Sequence, residues 1–306
     1  MLSIILPSYN EEANIERTAN TLKSVLESNK IAYELLFIND GSQDQTWELI
    51  INCCKQDPHI KGINFSRNFG KEACIFAGLR NCQGDCCVVM DCDLQHPPMT
   101  IIEMYKLWER GYEIVEGVKS SRGKEGLLHK TFAEFFYKTM SNFMGIDMKS
   151  SSDFKLLDRK VINILCSLPE KNTFFRALSF WAGFKATKVS YNVLPREFGT
   201  TKWSFKKLAI YAVNNVGAFT TLPLQFTTIL GFLVWGFSSI CLIKIIASFI
   251  LGKAITPISL LVILLLFLIG SIMISLGIIG YYIARIYKET LGRPQYIVSD
   301  TYNLKK

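Results

Sequence analysis

The segment CCVVMDCDLQHPP, residues 86–98, decides how the first two thirds of this chain can fold. A short apolar run leads into two aspartates, Asp91 and Asp93, and two prolines close the segment. Short apolar runs bounded by turn residues are typical of buried strands. Because side chains alternate between the two faces of an extended strand, we expect Asp91 and Asp93 to project to the same side.

The close pair of aspartates predicts a metal site. Two neighbouring carboxylates repel each other unless a proton or a cation separates them. Mg²⁺ and Mn²⁺ take hard oxygen ligands, a few from protein and the rest from water and phosphate. Gln95 can add a carbonyl oxygen, so we predict a metal at Asp91, Asp93 and Gln95 that would bridge a diphosphate and stabilise it as it leaves. A pair of aspartates that only stabilises a turn is the alternative.

Strand-like and helix-like segments alternate up to residue 91. The expected strands and helices are, in chain order, 2–6, 11–28, 33–40, 45–56, 60–65, 71–82 and 86–91. This alternation predicts a parallel, doubly wound α/β sheet, which binds ligands at the carboxyl ends of its strands. Each expected strand is followed by polar residues, in PSYNE, NDGSQD, SRNFGK and DCDLQ. A site at this edge explains them better than four unrelated solvated loops.

The composition divides the chain into a soluble part and a membrane part. Of its 306 residues, 49% are hydrophobic, and the mean hydropathy of +0.22 is high for a soluble protein. No charged residue occurs in 208–243 or in 254–284, and each run exceeds the roughly 20 residues that span a bilayer core. We therefore expect two transmembrane helices, near 224–243 and 258–282. The segment 204–222 has apolar residues at helical spacing, which predicts an amphipathic interfacial helix or, alternatively, the first turns of a longer span.

Basic residues flank the predicted membrane part, and the net charge of the chain is +8. This pattern places both flanks in the cytoplasm and suits anionic headgroups or phosphates. The basic residues are Arg196, Lys202, Lys206 and Lys207 before it, and Arg285, Lys288, Arg293, Lys305 and Lys306 after it. No nucleic-acid-binding module matches, so we expect no nucleic-acid partner.

The nine cysteines contain no CxxC pair. They fit reduced, buried thiols of a cytosolic domain. A zinc site from Cys82, Cys86, Cys92 and His96 would fit no common spacing.

Longer motifs occur in a fixed order along the chain: LPSYNEEANI, FINDGSQDQTW, FSRNFGKEACIFAGL, MDCDLQHPP, SSDFKLLDR, PREFGTTKWSFKKL and GRPQY. With these motifs the chain resembles glycosyltransferases of family 2 with the GT-A fold, a Rossmann-like doubly wound domain. More narrowly, it is similar to polyprenyl-phosphate glycosyltransferases, namely dolichol-phosphate mannose synthases and bacterial undecaprenyl-phosphate glucosyltransferases of O-antigen modification. The likeness covers nearly the whole chain.

The resemblance implies an activity. One sugar, glucose from UDP-glucose by family analogy, would pass from a nucleotide sugar to undecaprenyl phosphate with inversion, in the presence of Mg²⁺ or Mn²⁺. A lipid phosphate is already an anion at neutral pH, so it needs no general base. The Gln-x-x-Arg-Trp motif of processive synthases is absent, which favours one sugar per lipid. The alternatives are N-acetylglucosamine, mannose or a modified sugar, a hydroxyl acceptor, and a non-catalytic subunit of a glycan flippase system.

The resemblance also implies roles for individual residues. Those expected to bind the nucleotide sugar are Pro7, Tyr9, Glu11, Ile38, Asp40, Lys71, Asp91, Cys92 and Arg122. Those expected around the reacting sugar and the acceptor phosphate are Asp93, Asp153, Arg196 and Lys202. The metal ligands would be Asp93 and Gln95, with Asp91 beside them.

Each of these residues also has a plain structural alternative: Pro7 fits the end of a strand, Tyr9 fits packing, and Lys71 and Arg122 fit solvated positions. Asp40 fits a turn residue before Gly41, and Asp153 fits the N-cap of a following helix. The chain also departs from its relatives, which often have arginine at the position of Lys155. A lysine keeps the charge but loses the bidentate fork, so the departure bears on the acceptor side.

The expected organisation has four parts. Residues 1–203 form a cytoplasmic GT-A domain, 204–222 the interfacial helix, 223–287 a two-helix transmembrane hairpin and 288–306 a cytoplasmic tail. The protein would be a multi-pass protein of the inner membrane, with its catalytic domain facing the cytoplasm. Glycines in the second span would permit close helix packing, so we expect a homo-oligomer such as a tetramer. A separate flippase is the other expected partner.

Overall fold

The structure, a computed structural model, describes residues 1–120, 152–169, 174–194 and 257–304. The strands are β1 Leu2–Ser8, β2 Tyr33–Asn39, β3 Ile60–Phe65, β4 Cys86–Val89, β5 Ile114–Lys119, β6 Lys155–Asp158, β7 Ala186–Tyr191 and β8 Val298–Tyr302. The helices are α1 Ile15–Ser28, α2 Thr46–Gln56, α3 Lys71–Asn81, α4 Pro98–Glu109, α5 Arg159–Ser167, α6 Phe175–Trp181 and α7 Pro257–Thr290. Among the described residues the strands form one sheet in the order β7-β5-β6-β4-β1-β2-β3-β8.

Parallel pairing joins β1 to β2 and to β4, and β2 to β3. This confirms the α/β alternation predicted for the first 91 residues. The sheet as a whole is mixed, however, because β6 runs antiparallel between β4 and β5, and β8 runs antiparallel to β3. The predicted parallel arrangement therefore holds for the first four strands, and β5 and β7 also pair in parallel, whereas β6 and β8 run in the opposite direction.

The central strands are buried on both faces. Ile4 and Leu6 of β1 belong to the core formed with α1, α2 and α4. Ile5 faces α3, and a Cβ added at Gly78 of that helix would overlap the Cγ2 atom of Ile5. Strands covered on both faces are written as continuous apolar runs, which is why the sequence identifies β1 and β2 without ambiguity.

The two aspartates do not lie in the extended strand on which their predicted geometry was based. Strand β4 ends at Val89, and residues 92–94 form a turn in which Leu94 has a positive φ of 54°. The backbone N–H of Gln95 donates a hydrogen bond to Oδ1 of Asp93 over 3.1 Å. Aspartate side chains that bond the backbone two residues on favour turns over extended chain. The alternation of an extended strand therefore does not apply to Asp91 and Asp93.

Strand β8, at the edge of the sheet, is an element that the sequence analysis did not predict. It pairs with β3, and just before it the ring of Tyr296 stacks on Phe65 with centroids 4.9 Å apart. The carbonyl of Ile297 accepts a hydrogen bond from the amide of Ser66 over 3.0 Å. Part of the segment expected to be a tail thus covers the edge of β3, where unpaired backbone groups would otherwise face water.

The chain divides into two compact units, Met1–Trp203 with Pro294–Lys306, and Ser204–Arg293. In the second unit the described element is α7, a helix of 34 residues. When only the described residues are counted, no helix is long and apolar enough to cross a membrane. The predicted interfacial helix and first span lie outside the described residues, and the transmembrane hairpin stays a prediction.

Candidate active site

Four loops meet at the carboxyl edge of the parallel strands. The loop after β1 and the loop after β2 are joined by hydrogen bonds, because the amide of Asn10 donates to Oγ of Ser42 over 2.9 Å. The amide of Gln43 in turn donates to Oδ1 of Asn10 over 2.9 Å. Parallel strands place their carboxyl ends at one edge, so polar segments far apart in sequence come together there.

Asp40 joins the loop after β2 to the loop between β3 and α3. Its carboxylate is buried, and it accepts hydrogen bonds from the amides of Phe69, over 2.6 Å, and Gly70, over 2.9 Å. Burial raises the pKa of Asp40, although both hydrogen bonds oppose the change. Gly70 has a φ of 100° and Gly41 a φ of 63°, and a Cβ at Gly41 would lie 2.5 Å from the carbonyl carbon of Arg67. Asp40 is therefore more than the turn residue that the sequence left as an alternative, while its contact with a nucleotide base stays a prediction.

The other predicted donor residues of the first two strands lie beside Asp40. Pro7 pairs with Ile38 in the register of β1 and β2, and the side chain of Ile38 is fully buried. Oε2 of Glu11 accepts a hydrogen bond from Asn14 over 2.7 Å. Tyr9 follows Ser8 in the same loop and is half-buried.

Cys92 links the loop of Asp93 and Gln95 to the first strand. Its sulfur lies 3.0 Å from Oγ of Ser8, and its carbonyl accepts a hydrogen bond from Oγ1 of Thr18 over 2.6 Å. Burial raises the pKa of this thiol well above its usual range. Cys92 therefore fixes the start of the loop that carries Asp93 and Gln95.

A charged cluster lies beside this loop. Nζ of Lys71 is 2.6 Å from Oδ1 of Asp91 and 3.0 Å from Oδ2 of Asp153. On its other side Asp153 is held by Arg176, whose Nε and Nη2 donate to the two carboxylate oxygens over 2.6 and 2.9 Å. Burial alone would raise the pKa of Asp153, but Lys71 and Arg176 lower it far below its usual range. Sequence positions 71, 91, 153 and 176 therefore form one network of alternating charge.

Arg176 was not among the residues predicted from the sequence. It lies in FFRALSFW, as the one charged residue of a short and mostly apolar helix, and no spacing pattern marks it. The alternative role for Asp153 is also wrong, because Asp158 caps α5 by accepting a hydrogen bond from the amide of Lys160. Asp153 is thus available to the charged cluster.

Helix α6, which carries Arg176, is anchored near both ends. Oε2 of Glu72 accepts a hydrogen bond from the amide of Phe175 over 2.9 Å. Nζ of Lys155, which is buried, donates to Oγ of Ser179 over 3.0 Å and lies 3.2 Å from Oε1 of Glu116. Lys155, the residue that departs from the relatives, therefore fixes the position of α6.

The atoms that the predicted metal ligands offer are of the type that a hard cation prefers. Asp91, Asp93 and Gln95 offer carboxylate and amide oxygens, and the ammonium of Lys71 beside Asp91 is consistent with a carboxylate that takes up positive charge. Within the described ranges, three or more His, Cys, Asp or Glu side chains do not cluster as a metal site would require. The predicted set contains two carboxylates and one amide, so it rests on Gln95 as much as on the aspartates.

Three predicted residues, Arg122, Arg196 and Lys202, lie outside the described residues. The described chain approaches the segment of Arg196 and Lys202 at Leu194, whose amide donates a hydrogen bond to the carbonyl of Gln95 over 3.1 Å. Leu194, the last described residue before the motif PREFGTTKW, therefore lies next to the loop of Asp93 and Gln95.

Comparison with known proteins identifies relatives along the whole chain. The model of glycosyl transferase family 2 matches residues 3–164. A protein from Synechocystis sp. named as an uncharacterized glycosyltransferase is 39% identical over 99% of this chain and 96% of its own length. The prophage bactoprenol glucosyl transferase homolog of Escherichia coli is 34% identical over 97% of this chain and 98% of its own length.

A solved structure shares the fold. Glucosyl-3-phosphoglycerate synthase from Mycobacterium tuberculosis, in complex with Mn²⁺, UDP and phosphoglyceric acid, superposes with a TM-score of 0.53. The match covers 71% of this chain and 78% of that chain, at 18% identity. The predicted GT-A, Rossmann-like fold is thereby confirmed for the sheet domain.

The cluster predicts a pH dependence of stability at Glu72. Burial, and then the charge of Asp153, raise the pKa of Glu72 to about 7. The folded protein therefore keeps a proton that the unfolded chain loses, so the stability contributed by Glu72 falls as pH rises from about 4.5 to about 7. We expect Glu72→Gln to exceed the wild type in stability by an amount that grows from pH 5.5 to 7.5, reaching on the order of 1–3 kcal/mol.

Thermal unfolding of the purified protein at pH 5.5, 6.5 and 7.5 measures this difference. Glu103→Gln, at an exposed position of α4, is the matched control and should show no such trend. A stability difference for Glu72→Gln that is the same at all three pH values would contradict the assignment.

Proposed function

The chain belongs to glycosyl transferase family 2, and on that basis we propose that it transfers one sugar from a nucleotide sugar to a polyprenyl phosphate, with inversion. UDP-glucose is the proposed donor and undecaprenyl phosphate the proposed acceptor. The observation that carries the proposal is the match over 97% of the chain with the bactoprenol glucosyl transferase homolog, since bactoprenol is a polyprenol.

The donor side is proposed to lie over the loops joined by Asp40. Because Asp40 accepts hydrogen bonds from the amides of Phe69 and Gly70, the start of α3 has a fixed position. No side chain caps the N-terminus of this helix. Open helix N-termini favour phosphate groups. Lys71, the first residue of that helix, adds a positive charge at the same place.

Asp91, Asp93 and Gln95 are the residues that would hold Mg²⁺ or Mn²⁺. When bound, the metal would stabilise the negative charge of the departing diphosphate. Asp93 is buried and held by the amide of Gln95, so its position is defined before any ligand binds. Defined positions reduce the cost of assembling a site.

Asp153 is proposed to orient the site and not to remove a proton. A general base works best when its pKa lies near the working pH, whereas Lys71 and Arg176 hold the pKa of Asp153 far below its usual range, against the effect of burial. An acceptor phosphate is already ionised and has no proton that must leave. The paired state of Asp153 therefore agrees with transfer to a phosphate better than with transfer to a hydroxyl.

Transfer of labelled sugar to lipid tests the proposal directly. Membranes that contain the protein are incubated with undecaprenyl phosphate and radiolabelled UDP-glucose, and the lipid is extracted. We expect a labelled lipid product, none with Asp93→Asn and none in excess EDTA, while Asp300→Asn, at an exposed position of β8, stays active. Full transfer in EDTA would contradict the metal, and a product only with another nucleotide sugar would reassign the donor.

The acceptor phosphate is proposed to bind Arg196 and Lys202. Their motif follows Leu194, whose amide donates a hydrogen bond to Gln95, and it precedes the predicted interfacial helix. Charges at this point of the sequence suit a headgroup phosphate at the membrane surface.

Removal of one of these charges should weaken use of the lipid. A charge-assisted contact contributes about 1.5–3 kcal/mol, and each 1.4 kcal/mol is about tenfold in rate or affinity. Lys202→Ala should therefore slow transfer by roughly ten- to a hundredfold, mainly in its dependence on polyprenyl phosphate. Lys160→Ala, at an exposed position of α5, is the control. Weaker binding of the nucleotide sugar alone would move Lys202 to the donor site.

The protein is proposed to be a multi-pass protein of the inner membrane with its sheet domain in the cytoplasm. The support is the two uncharged runs, the basic flanks and the large apolar side chains that are exposed on α7, among them Leu261, Leu265, Ile272 and Leu276. Such side chains are rarely exposed to water in series.

Cysteine labelling tests this topology. In a variant without native cysteines, a cysteine after Lys306 and one in the sheet domain should both label only when the reagent can enter the cytoplasm. A C-terminal cysteine that labels from outside intact cells would contradict the hairpin.

A further inference from the structure

The ammonium of Lys71 occupies the place of a cation between two carboxylates. It lies 2.6 Å from Oδ1 of Asp91 and 3.0 Å from Oδ2 of Asp153. On the other side of Asp153, Arg176 donates hydrogen bonds to both carboxylate oxygens. Two positive groups therefore balance two carboxylates without any ligand. Asp91 is one of the residues that would hold the metal, so Lys71 and a metal ion would compete for it.

The backbone under Lys71 is fixed, but its side chain is not enclosed. Asp40 holds the amides of Phe69 and Gly70, so the residues just before Lys71 have little freedom. The side chain of Lys71 is 37% exposed, and that of Asp91 is 38% exposed. A lysine has a long flexible stem and three donors that can turn to a new partner without moving the helix.

Movement of Lys71 would not leave Asp153 unpaired. Arg176 donates to both of its oxygens, and α6 is held in place by Glu72 and Lys155. Arg176 therefore stays bonded to both oxygens of Asp153 whether or not Lys71 is beside it. The network can release its lysine without collapse.

We propose that Lys71 is an internal substitute for the metal, which pairs with Asp91 and Asp153 in the nucleotide-free protein and moves to the diphosphate when the donor and metal bind. The inference rests on the proposed function, since it assumes a nucleotide diphosphate and a divalent cation. Its consequence is a coupling between the two ligands. Metal alone must displace a bound ammonium, whereas the diphosphate offers that ammonium a new partner, so each ligand strengthens binding of the other.

Binding of Mn²⁺ measured by electron paramagnetic resonance, with and without UDP, tests the coupling on the purified full-length protein. In the wild type we expect UDP to tighten Mn²⁺ binding by a factor within the roughly 5- to 150-fold range of coupled sites. Lys71→Met should bind Mn²⁺ alone more tightly than the wild type, by about tenfold or more, and bind UDP more weakly. The two changes have opposite signs, and a misfolded site would lose both affinities.

Two further variants test whether the change in Mn²⁺ affinity comes from the positive charge of Lys71. Lys71→Arg keeps the positive charge and should keep the weak binding of Mn²⁺ alone. Lys23→Met removes a lysine whose Nζ lies 2.7 Å from Oδ2 of Asp57, at the opposite edge of the sheet, and should match the wild type.

The outcomes separate this inference from the function on which it rests. If the wild type binds no Mn²⁺ with UDP, the proposed donor is wrong and the inference falls with it. If the wild type binds both but Lys71→Met gains no affinity for Mn²⁺ alone, only the inference is overturned. An equal gain in Lys71→Arg or Lys23→Met would overturn it as well, because the gain would not come from the charge at Lys71.

Discussion

The carboxylate of Asp153 carries a charge that must be neutralised where little water reaches it, and the neighbouring elements are placed accordingly. Its side chain is only 11% exposed. A buried charge without a partner costs several kcal/mol, about 3–5 when one member of a pair is removed. Lys71 from α3 and Arg176 from α6 both pair with this carboxylate. One carboxylate just before β6 therefore connects two helices to the start of that strand. The fixed position of α6, which Glu72 and Lys155 also secure, follows from the same constraint.

Much of the fold can be predicted because its first half depends on local pattern. β1 and β2 are buried on both faces and therefore appear as apolar runs, and α1 buries Ile15, Leu22 and Leu26 at helical spacing. The polar ends of these strands predict the edge at which the site forms. Pairing of β6 and β8 could not be predicted in this way, since antiparallel partners far apart in sequence leave no signal in a single chain.

The residues of the candidate site can likewise be divided into those that the sequence pattern predicts and those that it does not. Asp40, Lys71 and Asp91 follow strands or begin a helix, so their place at the edge could be inferred from sequence. Arg176 could not, because its function depends on a contact across 23 positions and its own helix reads as ordinary apolar packing. The turn at Asp93 was only the alternative interpretation of the sequence, since the apolar pattern before it favoured an extended chain and the hydrogen bond from the amide of Gln95 is not visible in that pattern.

The stacking of Tyr296 on Phe65 and the pairing of β8 with β3 also bear on how the domain is made during translation. The ribosome delivers β3 early, but the strand that covers its edge only after the whole second unit, Ser204–Arg293, has been synthesised. Until then β3 is an open edge next to the loop of Ser66, which is also the loop that Asp40 holds. A fragment cut at residue 203 keeps that open edge permanently, and open edges pair with other chains. A sheet domain that folds in solution on its own therefore has to carry its last strand with it, joined by a linker in place of the second unit.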